Sequence, residues 1–315
     1  MLFHKILVTG CGGDIGLAVG RILQETKITD SVVGCDIEED HAGRVFFDRC
    51  FAMERAASPK YRERLMQLVE DEQIDLVIPT SEPELRLLYV NHFFGRRALF
   101  LMANDTALEI GFDKYKTAEF LREHDLPYPW TQKALDGAPR ELPCILKSRT
   151  GCGSKAVHVL TEETYHEGTV YHEDDIFQEW IAGEEEYTCG LFRSASGEIR
   201  SMILRRKLRG GLTGCGTVEE NPAIEALLTS LAEVLELRGS INVQLRLRYG
   251  VPYVFEINPR FSSTVRFRHQ LGFSDVLWSM QDSVGHGIAA YIPPPKGIHF
   301  YKIYEDVIDW KRTNI

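Results

Sequence analysis

The strongest constraint on folding in this chain is residues 239–260, GSINVQLRLRYGVPYVFEINPR, where polar and apolar side chains alternate on either side of a reversal. If the chain turns at Tyr249-Gly250-Val251-Pro252, antiparallel partners keep a constant index sum. Gln244 then falls opposite Glu256, and Asn242 opposite Asn258. The other face reads Ile241, Val243, Leu245, Phe255 and Ile257, which makes it a core face. A carboxylate and three carboxamides on one side of a half-buried sheet are costly to desolvate unless something binds them, and all-oxygen donors of this kind suit Mg²⁺. A solvated strand face is the alternative reading of the hairpin alone.

At 315 residues the chain is long enough for two or three units with their own cores. A net charge of -10 argues against a nucleic-acid or membrane surface, because binding to a polyanion needs a basic face. The seven cysteines (Cys11, Cys35, Cys50, Cys144, Cys152, Cys189 and Cys215) are scattered and lack a CxxC pair. They read as reduced thiols, neither a disulfide framework nor a zinc site. The apolar start LFHKILVTG is short for a signal peptide, and no long uncharged apolar run follows, so the expected compartment is the cytoplasm.

Strands are expected over residues 5–9, 32–36 and 74–79, with helices from residue 16 to about 25 and over 61–72; this alternation indicates an open, mostly parallel sheet. A boundary falls near residues 102–105. Beyond it come a helix over 113–124, strands over 143–148, 156–160 and 177–181, a long strand pair within 187–208, a helix over 222–237, and the hairpin. The turn Gly10-Cys11-Gly12-Gly13-Asp14-Ile15-Gly16, with Asp36 ending the second strand, has the form of a dinucleotide site. An NAD(P)-dependent reductase is therefore an alternative function. Such turns also serve only to pack a helix on a sheet, and no Tyr-x-x-x-Lys dyad stands where a short-chain reductase needs one.

A second glycine loop, Thr150-Gly151-Cys152-Gly153-Ser154, lies between two short strands, so it is not a Walker A loop. Its backbone N–H groups can form an anion-binding concavity, and Lys147 would place an ammonium beside the same anion. A hairpin turn with surface lysines is the plainer reading.

Glu256-Ile257-Asn258-Pro259-Arg260, with Gln244 on the preceding strand, resembles the magnesium-binding end of the ATP-grasp enzymes, in a form similar to one synthetase half of the carbamoyl phosphate synthase large subunit. The resemblance continues through Phe261-Ser262-Ser263-Thr264, Leu271-Gly272-Phe273-Ser274-Asp275 and Gly285-His286-Gly287-Ile288, and covers residue 104 onward. The serine-bearing loop departs from the amino-acid ligases that carry glycine there. The resemblance implies that Gln244, Glu256 and Asn258 hold Mg²⁺ and that Arg260 steadies the transferring phosphoryl group. It further implies that Lys147 and Lys114 meet the phosphates, that Gly151, Gly153 and Ser154 belong to a mobile flap, that Glu179, Trp180, Ile181 and Ala182 form the adenine hinge, and that Glu186 meets the ribose.

The expected fold is α/β: a Rossmann-like pre-ATP-grasp domain followed by a two-lobed ATP-grasp fold. Its parts are an N-terminal domain at 1–103, a small lobe with the flap at 104–185, and a large lobe with the metal site at 186–315. The implied function is an ATP- and Mg-dependent ligase that activates a carboxylate as an acyl phosphate and couples it to an amine or ammonia. A carbamoyl-phosphate-synthase-like enzyme and a degenerate nucleotide-binding regulator are further alternatives. The expected partners are small molecules, with neither nucleic acid nor membrane, and a homodimer is left open. Arg205, Arg206, Lys207 and Arg209, with Arg266 and Arg268 beyond the serine loop, are expected as two basic clusters that could converge on an anionic substrate.

Overall fold

Short apolar runs separated by turns begin the chain, and in the computed structural model they form one parallel sheet. The structure describes residues 2–90, 97–151, 157–183, 185–303 and 305–310. Strands β1 (Lys5–Thr9), β2 (Ser31–Asp36), β3 (Arg49–Ala52), β4 (Leu76–Ile78) and β5 (Leu99–Phe100) lie in the order β3-β2-β1-β4-β5. Every neighbouring pair is parallel, which requires crossovers; α1 (Asp14–Thr26), α2 (Tyr61–Asp71) and α3 (Glu82–Val90) lie between successive strands. Val8 and Ile78 pack on one face with Val19 and Ile22 of α1, while Leu7 and Val77 pack on the other with Leu65 and Val69 of α2. A strand buried on both faces reads as a continuous apolar run, which is why β1 was legible. Short, half-exposed β3 was not expected.

Helices α4 (Asp105–Gly111) and α5 (Lys114–Glu123) follow, and Asp113 caps α5 by accepting from the backbone N–H of Tyr115 at 2.9 Å. A four-stranded antiparallel sheet is built next from β6 (Thr131–Lys133), β7 (Cys144–Ser148), β8 (His158–Leu160) and β9 (Asp175–Glu179), in the order β6-β9-β7-β8. The expected strand over 177–181 thus begins two residues earlier and stops before Trp180.

The six-stranded antiparallel sheet runs β14-β13-β10-β11-β12-β15. Its strands are β10 (Glu186–Arg193), β11 (Ile199–Arg209), β12 (Leu212–Glu219), β13 (Gly239–Arg248), β14 (Val251–Asn258) and β15 (His299–Tyr301). Helix α6 (Pro222–Val234) covers one face with Ile224, Leu227, Leu228, Leu231 and Ala232, the spacing of a helical apolar stripe. Asn221 caps it, accepting from Ala223 at 3.0 Å and Ile224 at 3.2 Å. Helices α7 (Val265–Gln270) and α8 (Asp275–Ser283) are the last α-helices among the described residues. No helix among the described residues is long and apolar enough to cross a membrane.

The β13–β14 hairpin pairs Gln244 with Glu256 and Asn242 with Asn258, as the sequence led us to expect. The turn is tighter than expected: Arg248 pairs with Val251 across Tyr249 and Gly250, both at positive φ (52° and 81°). Two central residues of this kind turn the strands without splaying them. The resulting odd residue is absorbed by a bulge between Gln244 and Leu245, where the register slips by one. The expectation for Phe255 is corrected by this slip. Val254, not Phe255, joins Ile241, Val243, Leu245 and Ile257 in the core, while Phe255 faces the opposite side.

Val254→Asp is therefore expected to cost about 3 kcal/mol or more by burying an unpaired carboxylate. Phe255→Asp should cost far less, since that position faces Lys147 across a cavity. Urea unfolding of both variants checks this, and the reverse order of stabilities would contradict the bulged register.

Candidate active site

A cavity of about 1280 Å³ lies among the three sheets. Its walls come from the polar faces of β13 and β14, from β7 to β9, and from the β1–α1 turn of the parallel sheet. Lys114, Lys147, Gly151, Glu179, Trp180, Ile181, Glu186, Gln244, Glu256, Asn258 and Arg260, all sequence candidates, line it. Ala182 is not part of the lining, and Gly153 and Ser154 lie outside the described residues. Residues as distant as Lys114 and Arg260 are thus brought into one space.

The oxygen donors sit on two adjacent strands because successive residues alternate faces. Asn242 accepts from the Thr188 hydroxyl at 2.9 Å, which fixes its amide at the floor of the sheet. Glu256 meets Lys114: Oε1 lies 3.1 Å from Nζ, which also donates to the Gly151 carbonyl at 2.8 Å. Lys114 is the first residue of α5, and the Asp113 that caps the helix also binds the Arg149 guanidinium, with Nε 3.0 Å from Oδ2. One acid therefore joins the start of α5 to the end of β7. Burial pushes the Glu256 carboxyl up, but Lys114, Lys147 and Arg260 outweigh it and hold the carboxyl below its ordinary value. It is an anion at neutral pH.

Lys147 is buried on β7, with its Nζ 5.5 Å from the centre of the Phe255 ring and 3.5 Å from the Phe255 carbonyl oxygen. Among the described residues no carboxylate lies within 4 Å of it. Burial pulls its ammonium down to about 8, against the opposing field of Glu256. A buried cation left without a counter-ion in a cavity wall is a seat for an anion. Arg260 lies at the end of the hairpin, its Nη1 donating to the Phe261 carbonyl at 3.0 Å.

At the other end, Glu179 closes β9, its Oε2 accepting from the backbone N–H of Trp130 at 3.1 Å and its Oε1 paired with Arg248. Trp180 is partly exposed and Ile181 buried, so this end offers apolar surface together with Ile145, Val159 and Leu208. Those three were not singled out from sequence, because apolar residues on short strands carry no signal that separates a ligand wall from core. Glu186 is taken up by cross-strand partners: Arg206 Nε at 3.0 Å from Oε1 and Arg246 Nη2 at 3.1 Å from Oε2. Arg246 was another residue that sequence reasoning missed.

The two basic clusters do not converge. Arg206 lines the cavity, but Arg205 pairs with Glu185 and Glu219, and Arg266 reaches Glu25 of α1 at 2.8 Å. Arg268 is wholly buried, 3.0 Å from Asp275. Ion pairs with the abundant acids divert these guanidinium groups.

On the N-terminal side, Asp36 accepts from the Gly12 N–H at 2.8 Å, so the acid at the end of β2 holds the glycine turn. Glu84 also lines this part of the cavity and accepts from the Tyr61 and Thr9 hydroxyls. Burial outweighs these hydrogen bonds and raises its carboxyl above the ordinary value. A raised folded-state value means that this acid favours folding most below the unfolded value, and that the contribution is lost as pH rises through the folded one. Glu84→Gln keeps the shape of the protonated form. It is expected to raise stability at pH 8 and to leave it almost unchanged at pH 4, as read by denaturant midpoints. A gain independent of pH would refute a proton on Glu84.

Residues 112–264 match the family model of the ATP-grasp domain. No curated protein matches the sequence. Among solved structures, N5-carboxyaminoimidazole ribonucleotide synthetase from Staphylococcus aureus, complexed with ADP, aligns with a TM-score of 0.71 at 16% identity, over 91% of this chain and 78% of its own. L-amino acid ligase from Bacillus licheniformis aligns at 0.66 and 16% identity, over 90% and 74%. Biotin carboxylase from Campylobacter jejuni aligns at 0.68 and 13%, over 91% and 72%. The domain match spans the stretch that carries Lys114, Lys147, Gln244, Glu256, Asn258 and Arg260, and the fold agrees along nearly the whole chain: residues 112–264 of this protein form an ATP-grasp domain.

Proposed function

We propose that this protein is an ATP- and Mg²⁺-dependent ligase that activates a carboxylate as an acyl phosphate and joins it to an amine or ammonia. The observation that carries this reading is the buried Lys147, without a carboxylate partner among the described residues, facing a strand surface of Gln244, Glu256 and Asn258. Oxygen donors, one of them an anion at neutral pH, fit Mg²⁺. When bound there, the metal would supply charge neutralisation on the phosphates.

The protein's own groups have separate tasks. Lys147 and Lys114 receive phosphate oxygens, and the apolar surface of Trp180 and Ile181, with the backbone at 179–182, takes the adenine. Glu186, shared by Arg206 and Arg246, meets the ribose in this reading. Arg260 stabilises the γ-phosphoryl group while a substrate carboxylate oxygen bonds to phosphorus and the bond to ADP breaks. The amine nitrogen then bonds to the acyl carbon, phosphate leaves with the bonding pair, and the nitrogen loses its proton. No covalent protein intermediate is needed.

Three units, 1–103, 104–185 and 186–315, would divide this work, with the first as a substrate-side wall. That division is supported by the three sheets, whose strands fall one sheet to each interval.

ATP with Mg²⁺ is expected to raise apparent stability by about 2.7 kcal/mol at a hundred times its dissociation constant, and NADH to leave it unchanged. Thermal unfolding with each nucleotide checks this. Stabilisation by NADH alone would overturn the ligase reading. ADP release across a panel of acids and amines then identifies the substrates.

A further inference from the structure

Three residues far apart in sequence meet beside the glycine turn. Cys11 stands in the β1–α1 turn, His41 just before the 3-10 turn Ala42–Phe46, and Cys50 on β3. One ligand atom from each lies within 4.8 Å of the other two, and Cys11 Sγ is 3.5 Å from His41 Nε2. We propose that Cys11, His41 and Cys50 form a Zn²⁺ site at the edge of the parallel sheet, separate from the oxygen-lined metal face of β13 and β14.

The geometry suits that ion. Zinc–sulfur bonds of about 2.3 Å and zinc–nitrogen bonds of about 2.0 Å at tetrahedral angles set sulfur–nitrogen edges of about 3.5 Å and sulfur–sulfur edges of about 3.8 Å. The Cys11–His41 edge already has that length, and Cys50 needs to close by at most about 1.3 Å, within reach of a side-chain rotation. Two sulfurs and an imidazole are donors that select a borderline-soft cation over Mg²⁺. Neither sulfur is a strong hydrogen-bond partner for an imidazole, and the other ring nitrogen, His41 Nδ1, is enclosed without a partner among the described residues.

Space for the cluster is built into the backbone. Gly34 pairs with Cys50 across β2 and β3, and a Cβ on Gly34 would come within 2.7 Å of Cys11 Sγ. A Cβ on Gly43 would lie 2.2 Å from the Cys11 carbonyl oxygen and 2.9 Å from His41 Nδ1. The bare strand position opens the floor beneath the sulfurs, and the bare turn position lets the segment carrying His41 close over them. Cys11 is fully buried, while His41 and Cys50 are half-buried and His41 lines the large cavity. A fourth ligand, water or a substrate oxygen, can thus reach the ion from that side. Both residues are reduced thiols in the structure, as read from sequence; the proposal adds a ligand role to Cys11 and Cys50.

The test uses the untagged full chain, reduced and stripped of metal, titrated with Co²⁺ and then Zn²⁺. One equivalent of Co²⁺ should produce a thiolate-to-cobalt charge-transfer band with the intense visible bands of a tetrahedral ion, and one equivalent of Zn²⁺ should abolish both. Cobalt on the oxygen-lined face would give only weak octahedral bands. His41→Ala and Cys50→Ala should each weaken uptake by more than about 100-fold, since loss of an outer-shell partner alone costs about 10- to 100-fold. Cys215→Ala, on β12, should leave it unchanged. Circular dichroism confirms that the variants are folded. Absence of the sulfur-to-cobalt band, its persistence in both His41→Ala and Cys50→Ala, or a Cys11–Cys50 disulfide with no uptake after reduction would each overturn the proposal.

Discussion

Glu256→Gln is expected to leave the hairpin folded while lowering ATP-dependent ADP release by on the order of 10³-fold. The change keeps the shape of the side chain and removes the one anion from the Gln244, Glu256 and Asn258 surface. It also removes the group that offsets Lys114 and supports the charge on Lys147. Burial pulls the Lys147 ammonium down to about 8, so ATP affinity is expected to decline as pH rises through that value and the ammonium is lost. In Glu256→Gln the same decline should begin at lower pH, because Lys114 then acts on Lys147 with only the weaker field of Glu186 in opposition. Calorimetric titration of ATP across pH, beside ADP release, measures both effects. Full turnover in the variant, or an unmoved pH profile, would remove Glu256 from the metal face.

The largest effect on stability is expected from Asp275→Ala. Arg268 is completely buried, and its guanidinium is balanced by Asp275 at 3.0 Å, with Ser240 donating to the same carboxylate at 2.6 Å. Removing the acid strands a cation in the interior, at a cost of roughly 3–5 kcal/mol. The pair itself need not be stabilising, because both ions lose their hydration. Arg268→Met combined with Asp275→Leu is therefore expected to recover most of that loss. Urea unfolding of the single and double variants measures it, and a single-variant cost below about 1 kcal/mol would mean that water reaches Arg268.

What could be read from the sequence follows from how local the signal was. The β13 and β14 pairing was legible because two-residue periodicity and a turn lie within one short segment. The slip that moves Phe255 was not, because it depends on how tightly Tyr249 and Gly250 turn. Lys147 and Arg260 could be picked out by their neighbours in sequence, and both line the cavity. Arg266 and Arg268 were misplaced because their partners, Glu25 and Asp275, are set by packing between distant elements. Strands β3, β5 and β6 are half-exposed and too short to show a periodicity in sequence. The cluster of Cys11, His41 and Cys50 has no spacing motif, since parallel pairing alone brings β3 beside the first turn.

The bulge has a further consequence, which concerns insertions and deletions. Eleven residues separate Gln244 from Glu256, an odd number, and a two-residue turn can match them only by leaving one residue over. Lengthening this hairpin by a matched pair of residues preserves the parity that keeps Gln244 and Glu256 on one side. A single insertion or deletion does not, unless it also creates or erases a bulge. Phe255 is the surplus residue, and Lys147 Nζ lies against its carbonyl oxygen. Viable length variants of this hairpin should therefore change in steps of two, or lose the residue against which Lys147 rests.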